Sequence, residues 1–156
     1  MSLQRFCKRP TVTIAPEKTI REACQLLEEG NVGCLVVEEL GKLCGMLTDR
    51  DIALRVAGQG KDPQLTHVGT VMTANPVRIA VDSTVHELTM LMHSQQVRRV
   101  PIIDASGRAI GIVTLDDLLA LLGDEMSDLA KTVSEAFFRK PADVGAAEYH
   151  WWATYS

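Results

Sequence analysis

The stretch GMLTDRD (residues 45–51) returns sixty-six residues later as GIVTLDD (residues 111–117). Both read glycine, two apolar residues, threonine, two further residues, aspartate. Self-similarity at a fixed spacing marks a duplicated structural unit, and here it extends upstream. VTIAPEKTIREACQLL (12–27) lies over VRIAVDSTVHELTMLM (77–92) at an offset of 65. Val12, Ile14, Ala15, Thr19, Glu22 and Leu26 meet identical partners in Val77, Ile79, Ala80, Thr84, Glu87 and Leu91, and Val32 meets Val97. Within LGKL and ASGRA the offset grows to 66, an insertion that a surface turn tolerates. Gly41, Gly45, Thr48 and Asp51 then meet Gly107, Gly111, Thr114 and Asp117.

Each copy reads as strand, helix, strand, strand, helix. VTIA and VRIA are short and rich in β-branched residues, as strands are. Thr19 and Thr84 precede Glu22 and Glu87 by three, the capping-box spacing of a helix start. Ile20, Ala23, Cys24, Leu26 and Leu27, and in the second copy Val85, Leu88, Leu91 and Met92, recur at helical spacing. CLVVEE (34–39) and KLCGML (42–47) are joined through Leu40-Gly41, and VPIID (100–104) and AIGIV (109–113) through Ser106-Gly107; both pairs read as hairpins. The helices DIALRVAG and DDLLALLG open on aspartate and close near glycine. Between the copies, 58–76 starts as a loop, and LTHVGTVMT reads as a short helix or turn.

Length, composition and charge fit this frame. The chain has 156 residues, enough for one domain or two small halves sharing a core. The net charge of -4 argues against general nucleic-acid binding. No apolar run approaches the roughly 18 to 20 residues that span a bilayer, and MSLQRFCKRP lacks a secretory core. A cytoplasmic protein without membrane or nucleic-acid partners is expected. Cys7, Cys24, Cys34 and Cys44 form no CxxC pair and read as buried free thiols in a reducing compartment.

The repeated signature has a chemistry. A strand running into a helix start aims backbone N–H groups at an anion, and Gly45 and Gly111 permit close backbone approach. Thr48 and Thr114 offer hydroxyls to a phosphate oxygen; Asp51 and Asp117 offer acceptors to ribose hydroxyls. The same spacing is also an ordinary capping box. Arg98 and Arg99 enter an apolar strand, either as a solvated strand end or as a guanidinium clamp for phosphate. No G-x-S-x-G, Walker A or GxGxxG motif occurs. His86 and His93, two turns apart on one helix, do not make a metal pair, and exposed helix-face histidines are expected. Asp49 and Asp51, or Asp116 and Asp117, are helix-start charges rather than an acid–base couple. No catalytic constellation and no metal site is expected.

The paired β-α-β-β-α unit closing in G-apolar-x-T-x-x-D, with VMTANPV, VRRVPIID, GIVTLDDLL and TDRDI, resembles a tandem of cystathionine-β-synthase (CBS) domains, a Bateman module, over about residues 10–122. The first copy departs from the pattern at NVGCLVV. The resemblance implies an α/β (α+β) fold: a pseudo-twofold pair of β-α-β-β-α CBS units, two small sheets packed together, helices outside. The units are expected over 1–66 and 67–122, with 123–156 as an amphipathic helix and aromatic-rich tail. It also implies two clefts between the copies that take adenosine compounds (AMP, ADP, ATP, S-adenosylmethionine or NAD) as regulatory ligands, no catalytic cofactor, a homodimer, and occupancy signalled to a partner.

Carried over by position, Arg98 and Arg99 reach across to the nucleotide held by Thr48 and Asp51. Gly33 and Cys34 match them in the first copy and bring no charge, so the cleft of Thr114 and Asp117 is expected to lack a clamp. Arg50, matched by Asp116, adds to the same asymmetry. The adenine contacts implied are Ile14, Ala15, Val100 and Pro101 at the first cleft and Ile79, Ala80, Leu35 and Val36 at the second; core packing accounts for each equally well. In the C-terminal segment, Met126, Leu129, Ala130, Val133 and Phe137 share one helix face. Phe137, Phe138, Tyr149, Trp151, Trp152 and Tyr155 need a surface to cover: the module, its dimer mate, or an effector protein. The competing reading of the whole chain is a dimerising interaction domain with vestigial clefts.

Overall fold

The computed structural model describes residues 3–7 and 11–138. These residues fall into two compact units divided between Asp117 and Leu118. The first holds both copies of the repeat up to the start of the last helix.

In the first copy β1 (Thr13–Ile14) runs parallel to β2 (Cys34–Glu39), which pairs antiparallel with β3 (Lys42–Thr48). A fourth strand, β4 (Thr73–Ala74), closes that sheet antiparallel to β3 although it comes from the chain leading into the second copy. The second sheet repeats the scheme with β5 (Ile79–Ala80) parallel to β6 (Arg99–Ile103) and β6 antiparallel to β7 (Ala109–Thr114).

The helices α1 (Ile20–Gly30) and α3 (Val85–Gln95) start at the expected threonines. Thr19 and Thr84 each take part in a full capping box with Glu22 and Glu87, and each helix ends on a left-handed cap, Asn31 and Gln96. The apolar spacing also holds: Ile20 and Ala23 of α1 and Leu88 and Met92 of α3 are buried. Cys24 is exposed, contrary to a buried thiol; it sits at the rim of the α1 stripe, on the side of Ile20 away from Ala23. The short α2 (Asp49–Arg55) follows Thr48.

The last helix corrects the sequence reading. It runs unbroken as α4 over Leu115–Phe138, through Gly123. A single glycine costs a helix about 1 kcal/mol, which the strong formers on either side outweigh. The aromatic residues Tyr149 to Tyr155 lie outside the described residues, as does His150; His67, His86 and His93 are exposed.

The two sheets share an apolar seam in which Val36, Leu43 and Ala109 are buried with Ile103 and Ile112 against them. The Leu43 N–H donates to the Gly107 carbonyl at 3.1 Å, and the Ala109 N–H to Glu38 Oε1 at 3.3 Å.

The copies are also joined by an exchange. The second copy is led in by a 3-10 turn, Val68–Thr70, whose Val68 and neighbouring Val71 belong to the first copy's core with Ile14, Leu35, Val37 and Leu47. A Cβ built on Gly45 would collide with Met72 Sδ. The first copy is led in by a 3-10 turn, Leu3–Cys7, with Leu3 fully buried. A Cβ on Gly111 would lie 3.1 Å from Cys7 Sγ and 3.2 Å from the Phe6 carbonyl oxygen. Each copy's lead-in therefore packs on the signature glycine of the other. At the offset of 65, Leu3, Phe6 and Cys7 stand where Val68, Val71 and Met72 do, so the duplication begins near residue 3.

Candidate functional site

Thr48 and Thr114 occupy matching places where β3 meets α2 and β7 meets α4. The Thr48 N–H and hydroxyl donate to Asp51 Oδ2 at 3.0 and 2.7 Å, and the Asp51 N–H donates back to Thr48 Oγ1 at 3.1 Å. Thr114 and Asp117 make the same three bonds at 2.8, 2.7 and 3.1 Å. Both signatures are thus capping boxes, with aspartate in the glutamate's role. In this arrangement the threonine hydroxyl caps its helix, and each aspartate keeps one oxygen, Oδ1, outside the cap.

The two remaining oxygens have different surroundings. Asp51 Oδ1 lies 3.2 Å from Arg55 Nη2, and Arg55 Nη1 donates to the Val71 carbonyl at 2.7 Å. One arginine thereby ties the aspartate to the lead-in of the second copy. At Asp117 the position matching Arg55 is Leu121, which brings no guanidinium.

Two clefts open beside these caps. The Asp51 cleft, about 510 Å³, is lined by Met46, Thr48, Asp49, Arg50 and Asp51 of the first copy, by Thr73 of the lead-in, and by Val97, Arg98, Arg99, Thr114 and Asp116 of the second. It brings together Thr48, Arg50, Asp51, Arg98 and Arg99 from both copies. The Asp117 cleft, about 540 Å³, is lined by Arg5, Phe6, Thr11, Val12, Val32, Gly33 and Cys34 on one side and by Arg99, Ile112, Thr114 and Asp117 on the other.

Arg99 lines both clefts. Its Nη1 donates to the Gly33 carbonyl at 3.0 Å, and a Cβ on Gly33 would stand 3.4 Å from both Arg99 Nη2 and Asp49 Oδ2. Glycine at 33 thus leaves room for a guanidinium between the copies. Burial pushes the neighbouring Cys34 thiol up from its ordinary pKa, while Arg99 pulls the other way. Arg98 is more exposed and lies 3.8 Å from Asp116 Oδ1.

The Asp117 cleft is expected to lack a clamp from across the module, since Gly33 and Cys34 stand where the second copy has Arg98 and Arg99; its lining nonetheless includes two guanidinium groups. Arg99 reaches into it, and Arg5 enters from the lead-in turn, which the alignment from residue 12 left out. The eight apolar residues placed against adenine line neither cleft. Ile14, Leu35, Val36, Val100, Pro101 and Ile79 are buried, Ala15 is half-buried and Ala80 is exposed. The apolar cleft walls come instead from Met46 and Val97 in one, and from Phe6, Val12, Val32 and Ile112 in the other. The strand period signals this: Met46 and Ile112 lie two residues before the threonines, on the same strand face.

A family model for the CBS domain matches residues 3–58 and 68–124. The chain belongs to the CBS-domain family, as a tandem pair. It is 45% identical over 106 residues to the CBS domain-containing protein YhcV of Bacillus subtilis, covering 68% of this chain and 74% of YhcV. It is 32% identical over 120 residues to the protein MK0525 of Methanopyrus kandleri, covering 76% of this chain and 61%, less than two thirds, of that one. Among solved structures, the CBS domain pair of protein MJ0100 in complex with 5′-methylthioadenosine and S-adenosyl-L-methionine aligns with TM-score 0.71 and 28% identity. The alignment covers 80% of this chain and 98% of that one. No helix among the described residues is long and apolar enough to cross a membrane.

Proposed function

We propose that the chain is a regulatory module, not an enzyme, that holds adenosine-containing ligands in the clefts between its copies and passes their occupancy to a partner. The observation that carries this reading is the Asp51 cleft, where an oriented carboxylate from one copy faces two adjacent arginines from the other. A ligand with a ribose and an anionic group would bridge the two, with Met46 and Val97 offering apolar surface to the base. Contacts made from both copies favour the closed arrangement, and a population shift of this kind is the signal. The adenosine compounds held by the MJ0100 pair support the ligand class.

Calorimetric titration with AMP, ADP, ATP, S-adenosylmethionine, 5′-methylthioadenosine and NAD tests it. At least one should bind, and Asp51→Ala should weaken it by about 10-fold or more, as expected when a group hydrogen-bonded to a ligand is removed. A flat titration with every compound would sink the reading.

A second reading, a dimerising interaction domain, is favoured by α4. Leu115, Leu119, Leu122, Met126, Leu129 and Val133 recur at alternating spacings of four and three, the coiled-coil period, and all six are exposed, from 38% to 70%. The two readings are tested separately. Light scattering of the intact chain would show a dimer, and Met126→Glu a monomer; a wild-type monomer would dismiss the seam.

A further inference from the structure

The linings of the two clefts have Arg99 and Thr114 in common. These residues face each other as a register pair between β6 and β7, so the clefts meet at this pair. The Thr114 hydroxyl is committed to its cap: it donates to Asp117 Oδ2 at 2.7 Å and accepts from the Asp117 N–H at 3.1 Å. Arg99 is therefore the shared side chain that brings a charge.

The repeat explains why one guanidinium stands there rather than two. At the offset of 65 Arg98 and Arg99 match Gly33 and Cys34. Cys34 pairs with Thr48 as Arg99 pairs with Thr114. The small residues of the first copy leave room for the large ones of the second. Arg99 Nη1 reaches the Gly33 carbonyl at 3.0 Å, and a Cβ on Gly33 would stand 3.4 Å from both Arg99 Nη2 and Asp49 Oδ2. Gly33 lines the Asp117 cleft and Asp49 the Asp51 cleft. The guanidinium thus stands where both clefts are within its reach.

A planar fork on a long stem pairs best with one phosphate, through parallel N–H bonds along one edge. A phosphate in one cleft draws the fork to its own side, and the other cleft then takes a second phosphate without it. We infer that the two clefts are negatively coupled through Arg99: a phosphorylated adenosine compound in either cleft weakens the other for a second phosphorylated compound, but not for a neutral one. Such coupling is reciprocal, so it holds whichever cleft fills first. The module is thereby set for mixed occupancy, with one anionic and one neutral adenosine compound. This rests on the ligand reading of the clefts given above and adds to it the regulation of one cleft by the other.

Calorimetric titration of AMP and of adenosine into the full chain tests the coupling. Asp51→Asn and Asp117→Asn each weaken one cleft, leave an amide oxygen for the threonine cap, and report the affinity of the cleft left intact. In wild type the second AMP should bind about 10-fold more weakly than the weaker of those two affinities; a wild type that takes a single AMP while each variant also takes one is the limiting case of the same result. For adenosine the wild-type isotherm should be the sum of the variants' to within about 2-fold, as for independent sites. With Arg99→Gln in all three chains, AMP binding should become additive too, or be lost from both clefts. Additive or tighter binding of the second AMP in wild type, an equal weakening for adenosine, or a coupling that survives Arg99→Gln overturns the proposal and leaves the ligand reading intact. So does a single-cleft variant that binds no AMP while wild type does, since only one phosphate site then remains. Wild type that binds no AMP overturns the coupling as well, and wild type that binds none of the adenosine compounds named above also sinks the ligand reading.

Discussion

Leu40 occupies a position that suits few side chains. With Gly41 it forms the two-residue turn between β2 and β3, both residues have positive φ (50° and 75°), and Leu40 is 98% exposed. A turn of this type favours asparagine followed by glycine, and a left-handed conformation costs an ordinary L-residue about 1–2 kcal/mol. Leu40→Asn should therefore stabilise the chain by about 1 kcal/mol, read as a rise in the thermal midpoint; an unchanged midpoint would mean that the strain is relieved elsewhere. Gly111 is the opposite case. A methyl there meets backbone atoms of Phe6 and Cys7, which yield less easily than the flexible Met72 side chain facing Gly45. Gly111→Ala should cost about 1–3 kcal/mol as overpacking and loosen Leu3–Cys7, so that Cys7 alkylates faster than in wild type. Alkylation at an unchanged rate would show that the turn moves as one body.

Among the helices, α1 carries a pH-dependent cap. Hydrogen bonds from Lys18, and then from the Thr19 backbone and hydroxyl, lower the pKa of the Glu22 carboxyl from 4.5 to about 2. A lowered folded-state value means that the contribution is fully present above the unfolded pKa and is lost as pH falls through the folded one. Stability should therefore fall between about pH 4.5 and 2, and Glu22→Gln should flatten that part of the pH profile; a profile that Glu22→Gln leaves unchanged would assign the acid loss to other carboxylates. The same capping boxes were legible from Thr19, Glu22, Thr84 and Glu87 alone, because their signal is local in sequence. The unbroken α4 was not, because Gly123 carries a stop signal that only the formers on both sides override. β4 was not legible either: two residues, Thr73 and Ala74, have no period, and their partner strand belongs to the other copy.

At the level of the whole molecule, the sequence showed which residues are duplicated but not which way their side chains reach. Thr48, Asp51, Arg98 and Arg99 could be assigned to one cleft by position. Two features needed coordinates: Arg99 entering both clefts, and Arg5 belonging to a copy whose first turn matches its twin in apolarity (Leu3, Phe6, Cys7 against Val68, Val71, Met72) rather than in identity. Because Arg99 is shared, Arg99→Ala should weaken ligand binding at both clefts, whereas Arg98→Ala should act at the Asp51 cleft alone. Titrations that show loss at only one cleft for Arg99→Ala would contradict the sharing. The first copy should also fail to fold by itself. A fragment ending at residue 60 lacks Val68 and Val71 of its own core and the strand that closes its sheet, and it should melt without a cooperative transition.

The reciprocal seating of the two lead-in turns has a bearing on descent. A single ancestral copy would have had a glycine needing a turn and a turn needing a glycine, and both demands could be met by trading segments with an identical molecule. Joined in one chain, the two copies make that exchange internally, at the high effective concentration of a short tether. The chain has the construction of a domain-swapped dimer, so separating its halves empties the seat beside each signature glycine.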